Sequence, residues 1–74
     1  MRREIWRHND SGHVYIVEVE STSVEAAGGP FRRSELAPML RQGFVSDPVL
    51  VERLRQSYSG FRRLDWYERM LAEA

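Results

Sequence analysis

The sequence predicts a single α+β domain: an N-terminal antiparallel β-hairpin or three-stranded meander, followed by three short helices. Three observations lead there. The N-terminal third is rich in β-branched and aromatic residues around one strong turn signal. The "GGP" at residues 28–30 breaks the chain. Beyond it, apolar residues recur at helical spacing. Residues 1–27 are therefore the expected β region, and residues 31–74 the expected helical region, of one compact domain spanning 1–74.

The hairpin strands are "REIWRH" and "HVYIVEVE", joined through "NDSG". Asn9 suits the first position of a type I turn. Gly12 suits its end, at positive φ in a bulge. Such a bulge shifts the register, so that His8 faces Val14 instead of His13. A third strand is expected at Ser23 to Ala27, although the "STS" before it lacks Gly or Asn. The "GGP" then ends the sheet.

In "SELAPMLRQG", Leu36, Met39 and Leu40 share one helical face. Ser34 is the expected N-cap. Pro38 lies deep for a first turn, so this helix is either short or opens in a 3₁₀ turn. Gly43 stops it, and Phe44 folds back on the last turn. A second helix starts at "SDP", with Asp47 as N-cap and Pro48 as first helical residue. Leu50, Val51, Leu54 and Tyr58 form its apolar face, and Gly60 ends it. A third helix, "DWYERMLAEA", opens with Asp65 and Glu68 in a capping-box relation. Its apolar residues are Trp66, Tyr67, Met70 and Leu71.

One short phrase occurs twice, as "GPFRRSEL" and "SGFRRLDW". The reading is a shared helix-start device. Gly29 and Gly60 bend the chain, Phe31 and Phe61 anchor it in the core, and Ser34 and Asp65 cap the helices. Arg32, Arg33, Arg62 and Arg63 then lie beside helix N–H groups, where an anion can be held.

Acidic and basic residues balance at eleven each, so no global field steers the chain onto nucleic acid or membrane. Every basic residue is Arg. A GC-rich genome explains that, and points to a bacterial or phage source. With no Cys, disulfides and thiolate zinc sites are excluded. A chain of this size buries only about 60% of its unfolded surface. Without a disulfide it needs a well-packed core or a partner, which favours a homo-oligomer. No apolar run approaches the roughly 20 residues of a membrane span. The segment "MRREIWRH" has no apolar h-region behind it, so a cytoplasmic location is expected.

No catalytic residue, cofactor site or metal site is expected. His8 and His13 flank the turn, but the bulged register separates them. Ser11, His8 and Asp10 are expected to point apart. "GG" without a following Lys is not a phosphate loop.

The hairpin itself is apolar on both faces. Tyr15, Val17 and Val19 alternate with Val14 and Ile16, and Ile5 opposes Trp6. Three short helices on one face leave the other wet, and Trp6, Val14 and Ile16 are the expected interface there. Trp66 of the last helix is a fourth candidate. The expected function is a non-catalytic protein-binding module: a regulator, inhibitor or accessory subunit. It acts through an apolar sheet face or edge, on a second copy of itself or on a larger protein, with no membrane and no small-molecule substrate. The alternative is nucleic-acid binding through the Arg pairs, with Arg53 and Arg55. Glu35, Glu52, Asp65 and Glu68 interleave with those arginines and weigh against it. Trp6 and Tyr15 beside Arg3 and Arg7 suit an RNA-reading sheet.

Overall fold

The computed structural model describes residues 2–64. Strand β1 (Arg2–His8) pairs with β2 (Val14–Glu20), which pairs with β3 (Ser23–Phe31). Helix α1 (Arg33–Gln42) and helix α2 (Pro48–Ser57) follow. A 3₁₀ turn at Tyr58–Gly60 then returns the chain to β4 (Phe61–Arg63). The sheet has four strands in the order β3-β2-β1-β4, and every pairing is antiparallel. The class is the expected α+β, and the N-terminal strands are where the sequence puts them. The helix expected from Asp65 onward lies outside the described residues.

The first hairpin closes as its turn chemistry requires. Gly12 has φ +76°, and its N–H donates to the carbonyl of His8 at 2.9 Å. The pairing differs from the expected one. Arg7 stands opposite Val14, and the N–H of His8 donates to the carbonyl of His13 at 2.8 Å. Residues 9–12 form a four-residue loop, so Gly12 lies inside it and shifts no register. The second hairpin turns through Ser21 and Thr22, with Ser21 itself at φ +56°. Its loop needs positive φ, yet no glycine in the sequence marked it.

Strand β3 does not stop at Ala27. It runs through residues 28–30 to Phe31, with register shifts between Val14 and Ile16 and between Glu18 and Val19. Pro30 is tolerated because β3 is an edge strand with one side unpaired. The edge is partly sealed. Ser46 Oγ accepts the N–H of Ala27 at 3.2 Å, and the N–H of Asp47 donates to the Ala27 carbonyl at 2.8 Å. Arg55 Nε donates to the Val24 carbonyl at 2.9 Å.

Helix α1 begins earlier than Ser34 suggests. Arg32 is the N-cap, and the Glu35 carboxylate accepts its N–H at 2.9 Å. This return bond from the third helical residue anchors the first turn, so Ser34 is already helical. Pro38 sits inside the helix, and Gly43 ends it with its N–H on the Met39 carbonyl. Helix α2 starts as expected: Asp47 Oδ1 accepts the N–H of Val49 at 3.0 Å.

The two helices take opposite faces of the sheet. Tyr15, Val17 and Val19 pack with Val24, Ala27 and the α2 residues Leu50, Val51 and Leu54. On the other face lie the paired Ile5 and Ile16, both dry, with Ile16 at 0% exposure. Arg3 shares that face and donates from Nη1 to the Leu40 carbonyl at the end of α1. Leu36 is fully buried, and the Phe44 ring approaches Gly28, the partner of Ile16. The crossing from one face to the other is the segment 43–47, which is the part pinned to the β3 edge. The expectation of a wet face with helices on one side is thereby corrected. A second apolar face did need a cover, and α1 with Phe44 supplies it.

Candidate functional site

The interface residues expected from sequence do not share a surface. Trp6 stands opposite Tyr15, and so faces α2. Ile16 is buried on the reverse face beneath α1, with Val14 half-buried beside it. Trp66 lies outside the described residues. What the structure builds around Trp6 is a cleft of about 640 Å3 at the open end of the α2-side core. It is bounded by the start of β1, the β2–β3 turn and the last turns of α2.

Its floor is apolar: Trp6, Val19, Val24 and Leu54, the last three buried. Strand alternation puts Trp6 and Val19 on this face. At its rim stand Arg2 from β1, Arg55 from α2 and Arg63 from β4, with side chains 65%, 44% and 48% exposed. Ser21, Thr22 and Ser23 close the turn side.

Two of these arginines, Arg2 and Arg63, are held from below by one acid. Glu4 also alternates onto this face, two residues before Trp6, and is only 5% exposed. Its Oε1 accepts the Trp6 indole N–H at 2.9 Å. Its Oε2 lies 3.0 Å from Arg2 Nη2 and 3.8 Å from Arg63 Nη1. A buried carboxylate is stable only when charged and polar partners surround it, and here they come from three places on β1 and β4. Arg55 is fixed separately, through the Val24 carbonyl and a 3.8 Å approach to Glu25. Sequence reasoning missed Glu4. The available signal was its strand phase, an acid two residues before Trp6 and so on the same face; its pairing with Val17 follows only from the observed register.

The repeated Phe-Arg-Arg phrase has two different fates. Phe31 ends β3 ahead of α1. Phe61 instead starts β4, where it contacts the rings of His8, Tyr15 and Trp6 at 4.9, 5.7 and 6.2 Å. Arg62 and Arg63 are thus strand residues opposite Arg7 and Trp6. The first copy leads from β3 into α1 and the second forms β4, while Asp65, the cap expected after it, lies outside the described residues. Arg32 and Arg33 follow β3 at the start of α1, and Arg62 lies on β4, with β2 and β1 between those two edge strands. They form no single clamp.

His8 and Ser11 do meet, contrary to the expectation that these turn residues point apart. His8 Nδ1 lies 3.0 Å from Ser11 Oγ and accepts the Ser11 N–H at 3.2 Å, while Ser11 Oγ accepts the His13 N–H at 3.2 Å. These bonds knit the turn. Among the described residues no group of three or more His, Cys, Asp or Glu could hold a metal ion, and no helix is long and apolar enough to cross a membrane. No protein-family model matches the chain, and no curated protein or solved structure matches it.

Proposed function

We propose that the protein is a non-catalytic protein-binding module, acting as a regulator, inhibitor or accessory subunit, and that it receives its partner in the Trp6 cleft. One observation carries this reading: a half-buried tryptophan at the centre of an apolar floor, ringed by arginines already fixed in place. Protein interfaces have this anatomy, an apolar core inside a charged wet rim, with Trp and Arg enriched at the centre. Prior fixing also lowers the side-chain entropy lost on binding. Burial of Ile16 and the partial sealing of the β3 edge argue against an open sheet face or that edge as the contact.

The test is site-specific photo-crosslinking in cells of the native host. One variant carries the photoreactive residue at Thr22 on the cleft rim. Another carries it at Asp10, in the hairpin loop at the opposite end of the sheet. A discrete protein adduct from Thr22 alone is expected. An adduct with a second copy of the chain would make the partner a homodimer mate. No adduct at Thr22, or the same adducts from both positions, would overturn the reading.

A further inference from the structure

We infer that the partner segment docking in the Trp6 cleft presents an acidic side chain beside an aliphatic one, the carboxylate held by Arg2 and Arg55 and the aliphatic group lying on the cleft floor. The inference rests on the protein-binding reading and specifies the partner's chemistry.

Charge is the first argument. The whole chain is neutral, yet the cleft is lined by three arginines against one glutamate. That glutamate does not face a ligand. Glu4 is buried, with one oxygen on Trp6 and the other towards Arg2 and Arg63. It acts as a strut that orients guanidinium groups. Each guanidinium has five N–H donors in a fixed fork. Arg2 directs Nη2 to Glu4, while Arg55 commits Nε to the Val24 carbonyl and turns Nη2 towards Glu25 at 3.8 Å, which leaves Nε and Nη1 of Arg2 and Nη1 of Arg55 for a ligand. A carboxylate matches that fork in shape and charge.

The floor is the second argument. An exposed ion pair alone contributes little, because water screens it. Val19, Val24 and Leu54 line the same cleft as the arginines, and an aliphatic side chain seated on them displaces the screening water. Nucleic acid fits less well. Glu20 is exposed on the strand end next to Arg2, and Glu25 stands beside Arg55. These acids flank the arginines where a continuous phosphate backbone must pass, whereas a single carboxylate avoids them.

The experiment is selection of a random displayed-peptide library on the full-length protein, followed by anisotropy titration of enriched peptides. Enriched peptides are expected to carry Asp or Glu next to Leu, Ile or Val. Changing that acid to its amide is expected to weaken binding about tenfold, equivalent to about 1.4 kcal/mol. The Arg2→Gln/Arg55→Gln double variant should show a similar loss, and Arg53→Gln, elsewhere on exposed α2 surface, none. Circular dichroism verifies that the variants are folded. Enrichment without acidic residues, or binding indifferent to the double variant, would overturn the inference while leaving the protein-binding reading standing. Absence of any enrichment, joined to absence of a Thr22 crosslink, sinks both. Binding of a single-stranded oligonucleotide that the double variant removes would replace the peptide by nucleic acid.

Discussion

The indole N–H of Trp6 donates to the carboxylate of Glu4 at 2.9 Å, between two residues on the same face of one strand. This bond places an acid under the apolar layer and gives the tryptophan a fixed ring position. Through the other carboxylate oxygen it also ties β1 to Arg63 on β4. Core, sheet edge and cleft therefore share one side chain.

Replacing that side chain should separate its roles. Glu4→Leu leaves the indole N–H unpaired and removes the acid beneath two arginines. A loss of about 1–3 kcal/mol is expected, the usual cost of stranding a buried donor. Glu4→Gln keeps an acceptor for Trp6, so its loss should be smaller. Urea denaturation at constant slope measures both. Equal losses for the two variants would show that the hydrogen bond to Trp6 contributes nothing.

The two hairpin loops should respond with opposite signs. Gly12 has φ +76°, which a β-branched residue adopts only under strain. Gly12→Val should destabilise the fold by about 1 kcal/mol or more. Ser21 occupies φ +56° at the first position of a two-residue loop, where glycine is preferred. Ser21→Gly should therefore raise stability, by up to about 1 kcal/mol. Thermal midpoints of the two variants, measured side by side, decide the matter, and a shift of the same sign in both would refute it.

Gly28 tests how the second face is covered. A Cβ there would stand 2.5 Å from Phe44 Cδ2 and 3.1 Å from the Val45 carbonyl oxygen. Gly28→Ala must displace the ring that shields Ile16, with an expected cost of about 1–3 kcal/mol. With Phe44→Leu added, the combined loss should fall short of the sum of the single losses, because the residues are in contact. Strict additivity would place Phe44 elsewhere.

The paired arginines should not make the protein a nucleic-acid binder. At about 0.15 M salt, where screening extends over roughly 8 Å, each pair offers only a short-range attraction, and the few phosphate contacts available lose most of their affinity. No gel shift of duplex or single-stranded DNA is expected there. A clear shift, lost when Arg32, Arg33, Arg62 and Arg63 are all changed to Ala, would reinstate that function.

The sequence by itself determined the parts whose causes are local. The hairpin loop comes from a glycine able to take positive φ, the start of α2 from Asp47 and Pro48, and the end of α1 from Gly43. Each depends on a few neighbouring residues and is legible in any short window. The apolar character of both sheet faces was legible too, but not what covers them. Only tertiary structure decided that α1 and α2 take opposite faces, because the choice rests on Ser46 and Asp47 meeting Ala27, some twenty residues away along the chain. It also decided that Phe61 begins a strand, since β1 supplies the hydrogen-bond partner. Glu4 became the centre of a cleft for the same reason. Its partners, Trp6 two residues away and Arg63 at the far end of the described chain, are brought to one point only when β4 closes against β1.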